Sequence, residues 1–263
     1  MSLSLCSEFD DRCQRDLKES LKKTVQTVYE GIAIRGQKTF LNQIYTELYI
    51  LEGGSGEVNQ EHEVRQIETA SRKQGTTIKL EEIFKPGRDQ PIRTVMTMGV
   101  AGIGKTLLTQ KFTLDWAEGR TNQNIQFIFP FTFRELNVLK EEKFSLVELI
   151  HERFTKTKGI SSFENFHVLF IFDGLDESRL PLDFKKNPVL TDPSKSSSLD
   201  VLLTNLITGK LLPSALLWIT TRPAAASLIP DEVLTPCCTI NLSWGSNGRG
   251  QSAKAVDNEF CCK

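Results

Sequence analysis

The sequence predicts an α/β fold in which a parallel sheet is flanked by helices and preceded by a small, mainly helical region. Three observations carry this reading. Short apolar runs alternate with helix-periodic segments from Arg93 onward. The glycine-rich stretch GVAGIGKT lies between one such run and the next helix. Two further apolar runs, VLFIFD and LLWITTR, each end abruptly in polar groups. Strands alternating with helices imply parallel strands joined by crossover helices, with both faces of the sheet covered.

The elements follow in order. Apolar residues recur from Phe9 to Ile32 at Phe9, Cys13, Leu17, Leu21, Val25 and Val28, with charged residues between them. That spacing predicts one amphipathic helix. A second apolar cluster, FLNQIYTELYIL, runs into EGGSGE, whose small residues mark a loop. The charged segment EHEVRQIETASRK is expected as a surface helix. KPGRDQP then breaks the pattern, because the residue before proline avoids the helical region, and a domain boundary is expected there. Beyond it come the strand RTVMTMGV, the helix KTLLTQKFTLDWAEG, the strand IQFIFPFTF, the helix SLVELIHERF, the strand HVLFIFD, the helix SLDVLLTNLI and the strand ALLWIT. KNPVLTDPSKSSS reads as a polar loop. The expected units are therefore residues 1–86, mainly helical; residues 92–234, the α/β domain; and residues 235–263, a tail rich in glycine, serine and asparagine that is expected to be disordered.

Composition narrows the function. The chain has 263 residues, 39% hydrophobic and 25% charged, with a formal net charge of −1. That balance offers no electrostatic case for nucleic acid or an anionic membrane as a partner. No apolar run approaches the roughly 20 residues needed to span a bilayer. The start MSLSLCSEFDD lacks the basic and apolar regions of a signal peptide. Six cysteines at Cys6, Cys13, Cys237, Cys238, Cys261 and Cys262 form no CxxC pair, so free thiols in a reducing, cytoplasmic setting are expected. His62, His151 and His167 share no ligand spacing and read as structural, and Trp116 reads as core.

GVAGIGKT satisfies GxxxxGK[ST] with Gly99, Gly104, Lys105 and Thr106. Glycines let backbone N–H groups approach phosphate oxygens, and the helix that follows directs its positive end at them. Lys105 can reach the β- and γ-phosphates, while the Thr106 hydroxyl can ligate Mg²⁺. Chance would place this pattern in roughly one chain in a hundred of this length, so the strand before it and the helix after it decide the matter. The candidate nucleotide-binding run is Gly99, Val100, Ala101, Gly102, Ile103, Gly104, Lys105, Thr106 and Leu107.

A phosphate loop needs a second acid for its metal. Asp173 follows five apolar residues in HVLFIFDGLDES, which places it at the carboxyl edge of a buried strand, where open α/β sheets bind ligands. Its expected role is to hold Mg²⁺. Asp176 and Glu177 lie close enough to orient or activate water at the γ-phosphate, the alternative being that they cap the next turn. Arg222, at the end of LLWITTRP, can sense the γ-phosphate through charge-assisted hydrogen bonds or else be a plain surface arginine.

Together, GVAGIGKT, FIFDGLDE and LLPSALLWITTRPAAA resemble the NACHT module of NOD-like receptors. The segment from about Leu17 to Pro86 resembles the fish-specific NACHT-associated domain that precedes it. The resemblance implies a P-loop NTPase of the STAND/AAA-like kind that binds ATP or ADP with Mg²⁺. Gly99 to Thr106 would be its Walker A loop and Asp173 its Walker B residue, with Asp176 and Glu177 assisting and Arg222 as sensor. Exchange of ADP for ATP would then permit assembly with other proteins, by self-association or with full-length NOD-like receptors, in innate immune or inflammatory signalling. Catalysis would amount at most to slow ATP hydrolysis. The family continues past this region with helical subdomains and a winged helix that close over the nucleotide, and this chain is expected to lack that lid. Two other functions stand beside the switch: an interaction or decoy protein that hydrolyses nothing, and a P-loop kinase for a small substrate.

Overall fold

Helix α1 (Ser2–Val25) presents one apolar stripe, and Cys13, Leu17, Leu21 and Val25 along it are buried. The computed structural model describes residues 2–28, 39–41, 50–52, 76–84, 92–233, 237–241, 243–244 and 253–254. The sequence predicted this helix to run to Ile32, but it ends at Val25. Thr24, Val25, Thr27 and Val28 are β-branched, and their stiff χ1 angles weaken a helix end. Thr27–Val28 instead forms strand β1, antiparallel to β2 (Thr39–Phe40). The predicted surface helix EHEVRQIETASRK and the boundary at Pro86–Pro91 lie outside the described residues.

The main sheet has seven strands. In chain order they are β3 (Ile50–Glu52), β4 (Thr76–Ile78), β5 (Thr94–Met98), β6 (Phe127–Thr132), β8 (Val168–Asp173), β10 (Leu216–Thr221) and β11 (Cys237–Asn241). A two-residue strand β7 (Lys143–Phe144) pairs separately with β9 (Ser197–Ser198). Spatially the order is β4–β3–β11–β5–β10–β8–β6. Strands β11, β5, β10, β8 and β6 are mutually parallel, the last four as predicted, whereas β3 runs antiparallel to both β11 and β4. Strand β6 forms one edge, and its Pro130 fits there because proline cannot donate to a second ladder.

The expectation of a disordered tail from residue 235 fails at Cys237–Asn241, which pairs in parallel with β5 over its whole length. Averaging the composition of the tail hid the run CCTIN at its start. That run satisfies backbone groups of β5 that would otherwise be buried without partners. Ser243–Trp244 and Ala253–Lys254 form a further antiparallel pair. The sheet also draws β3 and β4 from the mainly helical region, so the expected units 1–86 and 92–234 share one sheet.

The helices pack on this frame. α2 (Lys105–Ala117) buries Leu108, Phe112, Leu114 and Trp116 on different sides, because it lies between the sheet and α1. Phe112 meets Trp218 of β10 edge to face at 5.2 Å, and Phe84, from the segment between β4 and β5, completes the cluster at 6.0 and 6.1 Å. Trp218 also donates its indole N–H to Thr97 Oγ1 of β5 at 2.8 Å. α3 (Phe133–Val138) and α4 (Leu146–Arg153) each begin with a capping box, Thr132 with Glu135 and Ser145 with Glu148. α5 (Leu199–Ile207) precedes β10. The loop read as polar buries Leu190 and is held by Asn205, whose side chain bonds Leu190 N and Pro188 O. Trp116 is fully buried, as expected, and burial holds His151 below the usual imidazole pKa against the carbonyls of Ile160 and Thr157.

Candidate functional site

The chain leaves β5 for the far edge strand β6, returns through β8 to β10, then crosses to β11 on the other side of β5. Strand β5 is therefore the point where the order reverses, and ligands of open α/β sheets bind beyond the carboxyl ends of the strands at such a point. Gly99 to Gly104 occupies that place. The loop is anchored by Gly99 N–H donating to Thr221 O of β10 at 3.2 Å. Gly102 and Gly104 adopt φ of 74° and 108°, values that a side chain makes unfavourable, and they curl the backbone into α2. Ile103 is buried beneath the loop, 2% exposed, and pins it to the core. Gly104 is the N-cap of α2 with no side chain in front of the helix end. The N–H groups of the first turn and the positive end of the helix dipole thus face the loop opening.

Lys105 directs its ammonium back over the loop, donating to Gly99 O at 2.6 Å and Val100 O at 3.0 Å. Thr106 Oγ1 donates to Asp173 Oδ2 at 2.7 Å, which joins the start of α2 to the end of β8. The intervening strand β10 supplies the other partner: Thr220 Oγ1 donates to Asp173 Oδ1 at 2.5 Å and accepts from Gly174 N at 2.9 Å. Asp173 is therefore oriented through both oxygens by two hydroxyls. A hydroxyl and a carboxylate side by side are hard oxygen donors of the kind Mg²⁺ takes, with remaining positions left to water and phosphate. Among the described residues, no group of three or more His, Cys, Asp or Glu side chains could hold a metal.

The turn after β8 bends at Gly174, with φ of 80°, into a short 3₁₀ turn at Leu175–Glu177. Asp176 pairs with Arg222, Oδ2 to Nε at 2.8 Å. Glu177 pairs with Arg134 at the start of α3 through both carboxylate oxygens, each at 3.2 Å. The Gly99–Leu107 loop, Asp173, Asp176, Glu177 and Arg222 thus converge on one sheet edge. Arg134 and Asn137 escape the sequence reading, and Thr220 enters it only as one of the polar groups at the end of LLWITT, without a role. The pattern of polar residues ending an apolar strand was the available signal for Thr220. A shallow concavity along α1, lined by Glu8, Phe9, Asp11, Arg12, Gln14 and Arg15, shares no residue with this edge.

A glycine-turned loop at the switch point of a parallel sheet, backed by Lys105 and by the Thr106–Asp173 pair, defines a P-loop NTPase domain. The chain belongs to the NACHT domain family, matching it over residues 93–242, and is preceded by a match to the fish-specific NACHT associated domain over residues 17–85. The NACHT match takes in β11 and so extends past the expected boundary at residue 234. The chain is 37% identical to human NLR family CARD domain-containing protein 3 over 88% of its own length and 21% of that protein. It is 36% identical to mouse Protein NLRC3 over 71% of its length and 18% of that protein. Identity to NACHT, LRR and PYD domains-containing protein 3 of Macaca mulatta is 33%, over 85% of this chain and 22% of that protein. The chain therefore spans about a fifth of the length of these relatives. It is a nucleotide-binding module of the NOD-like receptor type. Among the described residues, no helix is long and apolar enough to cross a membrane.

Proposed function

We propose that the chain binds ATP or ADP with Mg²⁺ at the Gly99–Leu107 loop and serves as a nucleotide-controlled switch acting through protein assembly. The observation that carries this reading is the hydrogen bond from Thr106 to Asp173 at the mouth of the loop, which pairs the two oxygen donors a nucleotide-bound cation needs. On this reading the backbone N–H groups of Val100 to Leu107 cradle the phosphates. Lys105 exchanges the carbonyls of Gly99 and Val100 for phosphate oxygens. Bound Mg²⁺ would supply charge neutralisation between the phosphates, held by Thr106 and by Asp173, directly or through water.

Asp176, Glu177 and Arg222 have the chemistry for slow hydrolysis. A water oxygen bonds to the γ-phosphorus, the bond from that phosphorus to the β–γ bridging oxygen breaks to leave ADP, and a carboxylate of the 175–177 turn takes the water proton. On the same reading Arg222, now paired with Asp176, leaves it for the γ-phosphate and so reports that group. On this reading its partners are other copies of this chain or NOD-like receptors, in innate immune signalling in the cytoplasm, and the family match is what supports it. A reading as an interaction or decoy protein that hydrolyses nothing stands second, and the observation that favours it is that Asp176 and Glu177 are both held in ion pairs.

Lys105→Ala removes the main cation facing the phosphates and is expected to abolish ATP and ADP binding measured by calorimetry. Equal affinity in the variant would remove the loop from nucleotide binding. In the same titrations Asp173→Asn should weaken binding more with Mg²⁺ than with EDTA; an identical loss under both conditions would take Asp173 out of the metal role.

A further inference from the structure

We propose that Arg134 and Asn137 are positioning residues that restrain Glu177 and thereby hold back ATP hydrolysis. The inference rests on the reading of Glu177 as an acid that works on water. It starts from register: Thr132, the last residue of β6, pairs with Asp173, the last of β8. Helix α3 consequently begins at the same sheet edge as the Asp173–Glu177 turn. The Thr132–Glu135 capping box fixes that start, and Arg134 and Asn137, three apart, fall on one face of the helix.

Both residues grip the same turn. Arg134 Nε donates to Glu177 Oε2 and Nη2 to Oε1, each at 3.2 Å, the fork geometry of guanidinium on carboxylate. Asn137 Nδ2 donates to Glu177 O at 2.8 Å, and Asn137 Oδ1 accepts from Arg179 N at 2.8 Å, so the backbone on either side of the side chain is held as well. Two further ion pairs lie nearby, Glu135 with Arg153 and Asp176 with Arg222. Arg134 thus sets the orientation of the Glu177 carboxylate, which must leave the fork to address water elsewhere. The restraint is soft by construction: the Arg134 side chain is 81% exposed and that of Glu177 45%, and exposed ion pairs are weak and salt-screened. A contact that offers Arg134 another anion would release Glu177 without unfolding anything.

The test compares wild type with Arg134→Ala, Arg134→Lys and Asn137→Ala, each measured for ATP affinity, steady-state hydrolysis and amide hydrogen exchange of the ligand-free protein across residues 175–179. Arg134→Ala is expected to raise kcat by about two- to fivefold, the range an exposed ion pair supports, with ATP affinity changed by less than about twofold. Arg134→Lys, which keeps the charge but not the fork, should fall between. Asn137→Ala should speed exchange at Arg179 N–H. Adding Glu177→Gln to Arg134→Ala should erase the gain. A kcat that is unchanged or lower in Arg134→Ala overturns the restraint, as does continued absence of turnover where wild type binds ATP without hydrolysing it. A wild type that binds no nucleotide defeats the proposed function instead, and the exchange measurement then decides the grip alone: unchanged protection in Asn137→Ala refutes it.

Discussion

Thr220 is buried completely, yet its hydroxyl makes two hydrogen bonds that orient Asp173 and hold the Gly174 turn. Replacing it with valine keeps the shape and leaves Asp173 Oδ1 and Gly174 N without that partner. We expect Thr220→Val to lower unfolding free energy by about 1–3 kcal/mol in urea titrations, the cost of stranding buried polar groups. Mg²⁺-dependent ATP affinity should fall with it, while Mg²⁺-free binding changes less; the opposite ranking would separate Thr220 from the metal site. Residues of this kind divide sharply in how they could be read. Lys105, Thr106 and Asp173 were legible because a fixed spacing and the end of an apolar run both encode them locally. Thr220 and Asp173 are 47 residues apart and Arg134 and Glu177 are 43 apart, so those pairings exist only once strand order and register are known.

At the scale of elements, the end of α5 shows how a helix terminus is closed from outside. Arg93, just before β5, donates to Leu206 O at 2.6 Å, Ile207 O at 2.9 Å and Pro213 O at 3.1 Å. It thereby adds a donor to Leu206 O, which also accepts from Gly209 N, satisfies Ile207 O in the last turn, and sets a positive charge at the negative end of the dipole. Arg93→Ala is expected to cost about 1–3 kcal/mol in thermal or denaturant unfolding. Arg93→Lys should recover only part of it, since one ammonium cannot span the three carbonyls. Full stability in Arg93→Ala would show that water replaces the cap. Alternation placed the parallel strands and most helices of the α/β domain, and the Thr and Ser caps of α3 and α4 mark their starts in the sequence. The helix α3, the strands β3, β4 and β11 and the early end of α1 escaped that reading. The early end of α1 turns on the pairing of Thr27–Val28 with β2, and β11 on its pairing with β5, remote in sequence.

Across the whole molecule, α1 and the α/β domain share one core. Cys13, Leu17 and Leu21 join the same buried cluster as Phe112, Trp116 and Trp218. Lys18 lies 4.8 Å from the centroid of Trp116, and Gln14 Nε2 donates to Gln126 O at 2.8 Å. Strands β3 and β4 extend the same sheet. The described residues should therefore unfold in one cooperative transition. Leu17→Ala, which truncates a side chain 1% exposed, should move that single transition by about 2–5 kcal/mol. A calorimetric trace in which a minor early transition splits off, with the main one unmoved, would show that α1 is an appendage. The sequence by itself determined the fold class, the phosphate loop with Lys105 and Thr106, and the strand-end acid Asp173, because hydrophobic period and motif spacing act over short stretches of chain. Only the tertiary structure decided that β10 lies between β5 and β8, that Thr220 orients Asp173, that Arg134 and Arg222 hold the two acids of the turn, and that β11 completes the sheet. Those depend on which strands lie side by side, and that is chosen by long-range packing and ladder pairing rather than by local pattern.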